Sequence, residues 1–485
     1  MSRASRSLLP LHWSLIAFVS AGCGLVDFDS EVSRTTDDVR ALVQSRLNVE
    51  PPPRERLAEE ATLREEVRRL LSEGLDEDRA ARIALLHHSD VRAMYEELGI
   101  ARAALIQAGL LRNPVLAADL RFFSGDPEVE LSLTQSILDV FFRPLRRSLA
   151  EAELERAKAQ VSQRLVSMVG EVRRALVEVR SESQLLRWER ESLGAAEAAR
   201  DLTRQLLDAG NVTDLEMAMR EARVAGLKWS VASAENSIEE ARERVNVLLG
   251  LWGDLVSWEL SGEWGEALSL DSISGVDVSR VESRSVGASL ELAENRARID
   301  AAARHAGITE WERWVPELEA GLSAKRETGG EWGLGPAIAA ALPVLDLGQA
   351  AQESARADLR RHLFHHAALA VEIRAAARTL RQRFLHLRDG ARFHEDVYVP
   401  LKSKVAHETL LQYNAMQVGA FDVLAAKQEE IAAQLEHVRI VRGAWLAFLD
   451  LKQLLAGSLD RQRLKDVPEV SGHDMLEPAD NEGGH

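Results

Sequence analysis

An extended segment led by proline, a polar turn, a second alternating segment and a very long helical hairpin occur in order, and then occur again. Asn113-Pro114-Val115-Leu116 opens the first copy and Val315-Pro316-Glu317-Leu318 the second. The second segments end alike, with Ile137-Leu138-Asp139 in one copy and Val344-Leu345-Asp346 in the other. A period of roughly 200 residues is too long for a solenoid, so the pattern is that of a duplicated half-structure. Each unit places two short strands beside two helices far longer than an ordinary globular domain uses, which makes the class α+β. Length alone would suggest two to four compact domains for 485 residues. The repeat predicts one interleaved body instead, because each long helix must pack against the other copy's.

Composition narrows the function. Hydrophobic residues make up 46% of the chain, enough for a core. No apolar run of about 20 residues follows the N-terminal segment, which excludes a multi-span helical membrane protein. A net charge of −17 argues against nucleic-acid binding, because phosphate contacts need clustered Lys and Arg. One cysteine, Cys23, leaves no disulfide framework and no multi-cysteine metal site.

The first residues read as an export signal over 1–22. Arg3 and Arg6 supply the positive end, Leu8 to Val19 the apolar run, and Ser20-Ala21-Gly22 the small residues before Cys23. That junction resembles a bacterial lipobox, which would make Cys23 a lipidated N-terminus, although Ser20 stands where a larger aliphatic is usual. Ordinary signal cleavage nearby, with Cys23 incidental, is the alternative. Gly24 follows Cys23 in place of the aspartate that resembles an inner-membrane retention signal.

Organisation follows from punctuation and periodicity. Residues 23–89 are expected to form a tether, broken by Pro51-Pro52-Pro53, with one helix from about Leu57 to Leu71. The two units are expected at 90–255 and 286–457, joined by a linker over 256–285 and followed by a polar, disordered tail over 458–485. A helix from about Asp90 to Leu111 should end at Asn113-Pro114.

In the first strand pair, Val115 to Phe123 puts Leu116, Ala118, Leu120 and Phe122 on one face, with Asp119 and Arg121 on the other. Val129-Glu130-Leu131-Ser132-Leu133-Thr134 alternates strictly, and Ser124-Gly125-Asp126-Pro127 is the turn between the strands. The second pair repeats the scheme. Leu318, Ala320, Leu322 and Ala324 face one way, and Trp332, Leu334, Ile338, Ala340 and Leu342 share one face after a Gly329-Gly330 turn. Strands of about 9–11 residues can cross a bilayer when tilted. A soluble half-buried sheet would alternate in the same way.

The helices are stronger evidence. Leu154, Val161, Leu165, Met168, Val172, Leu176 and Val179 follow steps of three, four and seven. Ile373, Ala377, Leu380, Phe384 and Leu387 do the same in the second copy. Nothing but isolated glycines interrupts a helix from Pro144 to Gly210, and about 65 residues make a rod about 100 Å long. Pro400 should kink or interrupt the second long helix. Four strands leave two exposed edges, which lipid does not tolerate. If these strands span a membrane, several copies must complete one barrel.

Over about Asp90 to Leu455 the chain resembles the TolC-like outer-membrane efflux proteins. The resemblance rests on Ala108-Gly109-Leu110-Leu111-Arg112-Asn113-Pro114, Leu133-Thr134-Gln135-Ser136, Leu342-Pro343-Val344-Leu345-Asp346-Leu347-Gly348 and the two hairpin tips. It implies a homotrimer in which each chain gives four strands to a twelve-stranded transmembrane β-barrel set in outer-membrane lipid. A long coiled-coil α-helical barrel in the periplasm would continue the barrel. It also implies the exit duct of a tripartite efflux pump or type I secretion system, with a periplasmic adaptor and an inner-membrane transporter as partners. The rival reading is a periplasmic coiled-coil scaffold or adaptor without a pore.

The tips, Gly210-Asn211-Val212-Thr213-Asp214-Leu215-Glu216 and Met416-Gln417-Val418-Gly419-Ala420-Phe421-Asp422, each carry an acid six positions on. In the resembled family, aspartates at the second tip form a constricting ring at the tunnel's periplasmic mouth. Asp422 matches the first of them, while the second falls on Ala425. Glu216 and Asp214 are the corresponding acids at the first tip, and a solvated helix-start role is the alternative for these residues. Met416 in place of the family's glycine predicts a differently shaped second turn.

Other chemistry finds little support. His362, His365 and His366 share a helical face, which would suit a metal, but surface histidines serve as well and no carboxylate partner is evident. No cofactor motif and no catalytic signature such as GxGxxG, GxSxG or HExxH occurs, so the expectation is no enzyme, no cofactor and no resident metal. Trp311, Trp314 and Trp332 flank the second hairpin and would anchor at a membrane interface or pack against neighbours.

Overall fold

The computed structural model describes residues 28–54, 60–122, 127–261, 270–275, 277–312, 317–327, 330–341 and 344–465. The export signal, Cys23, the first strand turn (124–126), Trp314 and residues 466–485 of the tail therefore lie outside the described residues.

Helices α1 (Phe28–Leu47), α2 (Glu60–Ser72), α3 (Glu77–His87) and α4 (Ser89–Ala108) lead into the hairpin β1 (Val115–Arg121) and β2 (Glu128–Ser136). Helix α5 (Leu138–Asp208) then runs for 71 residues and returns as α6 (Asp214–Leu249). After a 3-10 turn at Gly253–Val256 come α7 (Leu270–Ser274), α8 (Val281–Ala288) and α9 (Leu290–Glu312). The second hairpin is β3 (Leu318–Arg326) and β4 (Trp332–Ala340). Helix α10 (Gln349–Phe393), a π-helical turn (His394–Tyr398) and α11 (Val399–Asn414) descend, and α12 (Ala420–Leu455) and α13 (Arg461–Lys465) close the chain.

The sheet has the order β1-β2-β3-β4, antiparallel throughout, and the β2–β3 pairing joins the two repeats. The strands have 7, 9, 9 and 9 residues, so β1 falls short of the expected span.

Two apolar clusters hold the long helices at mid-length. In the first, Val43, Leu63, Leu85 and Leu98 from α1 to α4 pack on Leu165, Val172 and Leu176 of α5 and on Leu249 of α6. In the second, Ile273 of α7, Val281 of α8 and Leu292 of α9 pack on Ile373 and Phe384 of α10 and Trp445 of α12. Three sequence expectations change here. Residues 28–47, read as tether, are a helix whose Val32, Thr35, Thr36, Val39, Val43 and Leu47 are buried. The two threonines hide that stripe from a hydrophobicity count. Their hydroxyls donate back to the carbonyls of Glu31 and Val32 at 3.0 Å each, which is how a polar residue can sit on a buried face. Within the stretch read as linker, Leu270, Ile273 and Val281 are buried against the second core. The start of the expected tail is also packed: Ser458 and Leu459 are buried, and Arg461 donates two hydrogen bonds to Glu372 at 2.6 and 2.9 Å.

Pro400 does interrupt the second shaft. Proline lacks an N–H and its ring crowds the carbonyl four residues back. The chain widens just before it, with the Val399 N–H bonding the His394 carbonyl, five residues away, and helix resumes through the proline.

A buried polar knot ties the repeats together. Arg174 of α5 is 1% exposed and donates to Asp450 (2.9 Å) and Gln453 (2.6 Å) of α12. Burial pushes the Asp450 carboxyl above its ordinary range, which the Arg174 charge only partly offsets. Gly170, one turn from Arg174, leaves room for Gln453: a Cβ there would overlap Gln453 Oε1 and lie 2.9 Å from its Cδ. Gly170→Ala should destabilise the protein by roughly 1–3 kcal/mol through overpacking. Gly194→Ala in the same helix, where a Cβ meets nothing within 4 Å, should be neutral or stabilise by up to about 1 kcal/mol. Thermal unfolding of the two variants checks the contrast, and equal effects would remove the packing argument.

Candidate functional site: sheet faces and helix tips

The register sorts the sheet into an apolar and a polar face. Leu116 pairs with Leu133, Leu133 with Leu322 and Leu322 with Pro336. The next row on that face is Ala118, Leu131, Ala324 and Leu334; the rows beyond hold Leu120, Val129, Arg326 and Trp332 at one end and Gln135, Ala320 and Ile338 at the other, so polar side chains stand only at its margins. All eight strand residues expected to face lipid, Leu318 included, share this face by the two-residue period. The opposite face carries Asp119, Glu130 and Lys325 in one row and Ala117, Ser132, Ser323 and Gly335 in the next. Lys325 Nζ lies 2.6 Å from Glu128 Oε1 there.

The apolar face is uncovered. Leu116, Leu334 and Ile338 are 72%, 76% and 74% exposed, and Trp311 and Trp332 at its margin are exposed as well. A contiguous apolar surface of this kind marks an interaction surface. Along both edges, β1 and β4 have no strand partner among the described residues.

Asp139 fastens the sheet to its helix. It is 3% exposed, accepts from Arg146 Nη1 (2.7 Å) and from the Arg112 backbone N–H (3.0 Å), and has Arg112 Nε at 3.4 Å. Gln135 Nε2 completes the clamp by donating to the Arg112 carbonyl at 2.9 Å. Burial opposes ionisation of Asp139, yet the Arg146 bond, the Arg112 amide and the two cations together hold its carboxyl below the usual carboxylate range. Sequence reading marked Asp139 only as a repeat boundary. The signal that would have found its role is an acid at a strand-to-helix junction with arginines on both sides.

The two tips are one turn built twice, 206 positions apart. Ala209, Gly210 and Asn211 donate backbone N–H bonds to Gln205, Leu207 and Leu206, and Ala415, Met416 and Gln417 donate to Leu411, Tyr413 and Gln412. Gly210 has φ +75° and Met416 φ +60°. Methionine at this position therefore does not change the turn's shape, contrary to the sequence expectation. It adopts the left-handed conformation at a cost of roughly 1–2 kcal/mol relative to glycine.

The first tip's helix starts on a full capping box, with the Glu216 N–H donating to Thr213 Oγ1, and the second keeps only the half that glycine allows. Glu216 Oε2 accepts from the Thr213 N–H at 2.8 Å, and Asp422 Oδ2 accepts from the Gly419 N–H at 2.8 Å. Asp214, Glu216 and Asp422 are all exposed, and each lies in the first turn of its helix. The Arg220 guanidinium lies 5.0 Å from the Phe421 ring centroid, so the tips are adjacent. Sequence reading missed that contact, which joins residues 201 positions apart.

Of His362, His365 and His366, His365 is exposed, and His362 does have a carboxylate neighbour that sequence reading did not find, with Asp358 one turn back at 3.6 Å from its Nε2. Burial, reinforced by Arg296, holds His366 below the ordinary histidine range. Among the described residues no group of three or more His, Cys, Asp or Glu is arranged to hold a metal ion. No helix among them is long and apolar enough to cross a membrane.

Residues 83–251 match the profile of the outer membrane efflux protein family. No curated protein matches the chain. Among solved structures, CusC, described for its transmembrane channel formation, is 17% identical with a TM-score of 0.63, covering 80% of this chain and 94% of its own. The outer membrane protein VceC of Vibrio cholerae is 17% identical with a TM-score of 0.61, covering 79% and 97%. The open-state MtrE outer membrane channel of Neisseria gonorrhoeae is 18% identical with a TM-score of 0.60, covering 79% and 89%.

The chain thus has the fold of TolC-like outer-membrane channels, with a helical shaft and four strands per copy. The match to the outer membrane efflux protein family falls on the first repeat.

Two measurements probe this geometry. Because Asp139 titrates lower in the folded chain than in the unfolded one, its contribution is complete above the ordinary carboxylate range, about pH 4, and is lost as pH falls through the lowered folded value. Asp139→Asn should therefore destabilise at pH 7, with the difference from wild type shrinking by pH ~3. Denaturant melts at the two pH values report it. At the tips, Met416→Gly should raise stability by up to about 1 kcal/mol and Gly210→Ala lower it by about as much, read as opposite shifts in melting temperature.

Proposed function

We propose that the chain is the passive exit duct of a tripartite efflux pump or type I secretion system in the bacterial outer membrane. Three copies would share one twelve-stranded barrel, and the long helices would extend it as a periplasmic tunnel. The sheet carries this reading, with one exposed apolar face, one polar face and two unpaired edges. Pairing β1 of one copy with β4 of the next satisfies the edges, turns the apolar face to lipid and leaves the polar face lining water. The periplasmic scaffold alternative would leave the same leucines and both edges in water with nothing to cover them.

In this reading a periplasmic adaptor engages the tips and an inner-membrane transporter supplies the energy, so the duct needs no catalytic residue. Lipid attachment at Cys23 would tether the chain to the same membrane. Asp422, with Glu216 and Asp214 beside it, would form an acidic mouth that favours cations. The capping role of Asp422 is compatible with that, because a carboxylate bonded to one N–H keeps further acceptor sites free.

The purified protein should run as a trimer in detergent and give stable, cation-preferring openings in planar bilayers. A monomer that never forms pores would return the reading to the scaffold. Asp422→Asn keeps an acceptor for the Gly419 amide and removes only the charge. Its reversal potential in a salt gradient should move toward zero, and an unchanged value would exclude an acidic gate at this residue.

A further inference from the structure

Away from the sheet and tips, a cleft of about 650 Å³ opens between α8 and α10. Its lining is cationic over an apolar floor. Arg280, Arg378 and Arg381 stand around it, while Val278 and Leu385 are partly buried against the second core. Arg378 is committed to Glu282 at 2.8 Å, and Arg381 donates Nε to the Val278 carbonyl at 3.1 Å.

Arg280 is different. Its guanidinium is exposed and hydrogen-bonds no described residue, with Asp277 the nearby carboxylate that feels its charge, and its backbone holds φ +52°. A turn of this shape is easier for glycine or asparagine, so arginine stands here at a backbone cost. Arg280 also caps α8 without a side-chain bond, so the first N–H groups of that helix add to the positive field at the cleft.

The described chain leaves beside this cleft. Arg461 of α13 is bonded to Glu372 of α10, and Leu464 shares a small cavity with Leu380, which lies between Arg378 and Arg381 on α10. Beyond Lys465 come 20 residues, 466–485, with acids at Asp466, Glu469, Asp474, Glu477, Asp480 and Glu482 and neither Lys nor Arg. Within them Asp474-Met475-Leu476-Glu477 sets two apolar side chains between two carboxylates. Twenty residues reach up to about 65 Å when extended, far more than the few helical turns separating Glu372 from the cleft.

We propose that this cleft is the docking site of the chain's own acidic C-terminal segment. The Asp474–Glu477 stretch lays Met475 and Leu476 on the Val278–Leu385 floor and its carboxylates against Arg280 and Arg381. The segment then clasps the outer α8 layer to the α10 shaft. The inference stands apart from conduction and would hold for a scaffold as well.

A photo-crosslinking residue placed at exposed Ser279 of the full-length protein tests it. Mass spectrometry should find crosslinks to peptides from 466–485. The double charge reversal Arg280→Glu/Arg381→Glu should reduce them at least about five-fold, and raised salt should weaken them as it screens the exposed charges. The same probe at exposed Trp229 of α6 should capture none of the segment. Equal capture at both positions, or capture at Ser279 indifferent to the charge reversal, overturns the proposal. Crosslinks from Ser279 to a different polypeptide overturn it in favour of an external acidic partner. Unchanged oligomer mass and circular dichroism of the reversal variant separate lost docking from lost folding.

Discussion

In hydrocarbon, a strand N–H or C=O without a peptide partner costs several kcal/mol, and a sheet with two open edges carries a row of them on each side. In the proposed duct the four-stranded sheet of this chain would be in that position. Its β2–β3 seam joins the repeats, while β1 and β4 face outward with no described partner. The two-residue period then does the sorting. If edges pair between copies as proposed, every leucine of one face would point to lipid and Asp119, Glu130 and Lys325 would point to the interior. A buried Asp139, bracketed by Arg112 and Arg146, fixes where this sheet becomes helix, so strand tilt and helix direction are set together.

Below that junction the proposed duct would pass from lipid to water. Helices as long as α5 cannot bury much of their surface within one chain; the two large apolar clusters lie at mid-length, and only a small one of Ala196, Val224 and Leu227 lies nearer the first tip. The small helices α1–α4 on one repeat, and α7 and α8 on the other, form a belt around that region. Arg174 crosses from α5 to α12 inside the belt and finds both Asp450 and Gln453. Such a largely buried pair is weak evidence for stability but specifies register, since any sliding of α12 along α5 would strand the buried Arg174 charge. The tips, by contrast, rest on backbone caps and one Arg220–Phe421 contact. They belong to the low-stability end of the structure, where opening motions are drawn from.

Much of this was legible in the residues. Strict alternation in Val129 to Thr134 and the three-four-seven steps of α5 reflect packing that is periodic by necessity, and the duplication removed most alternatives. What escaped was non-periodic or long-range. Helix α1 hides its buried stripe behind Thr35 and Thr36, whose hydroxyls bond their own backbone. Leu270, Ile273 and Val281 sit in segments too short to show a period, yet their burial is set by α10 and α12 more than 80 residues away. Met416 was misread for a different reason. The turn's hydrogen-bond pattern is imposed by two helices meeting, and it forces a methionine into a glycine's conformation.

The two hairpins share a tip but not a shaft. In the first repeat α5 descends unbroken to Asp208, and Ala196 and Thr203 are still buried near its lower end. In the second, the wide turn at His394–Tyr398 and Pro400 part α10 from α11, and α11 buries none of its residues within the chain. Phe393 and Val397 just above it and Leu401 and Val405 along it lie exposed, a face that only another copy or a partner can cover. Bending costs least where helix hydrogen bonds are already re-registered and side-chain packing is thinnest. The second hairpin is therefore the compliant member of the pair, and Asp422 rides at its end while Glu216 rides on the stiffer one. A device that widens the lower mouth would act through α11, with the first hairpin as the fixed frame against which it moves.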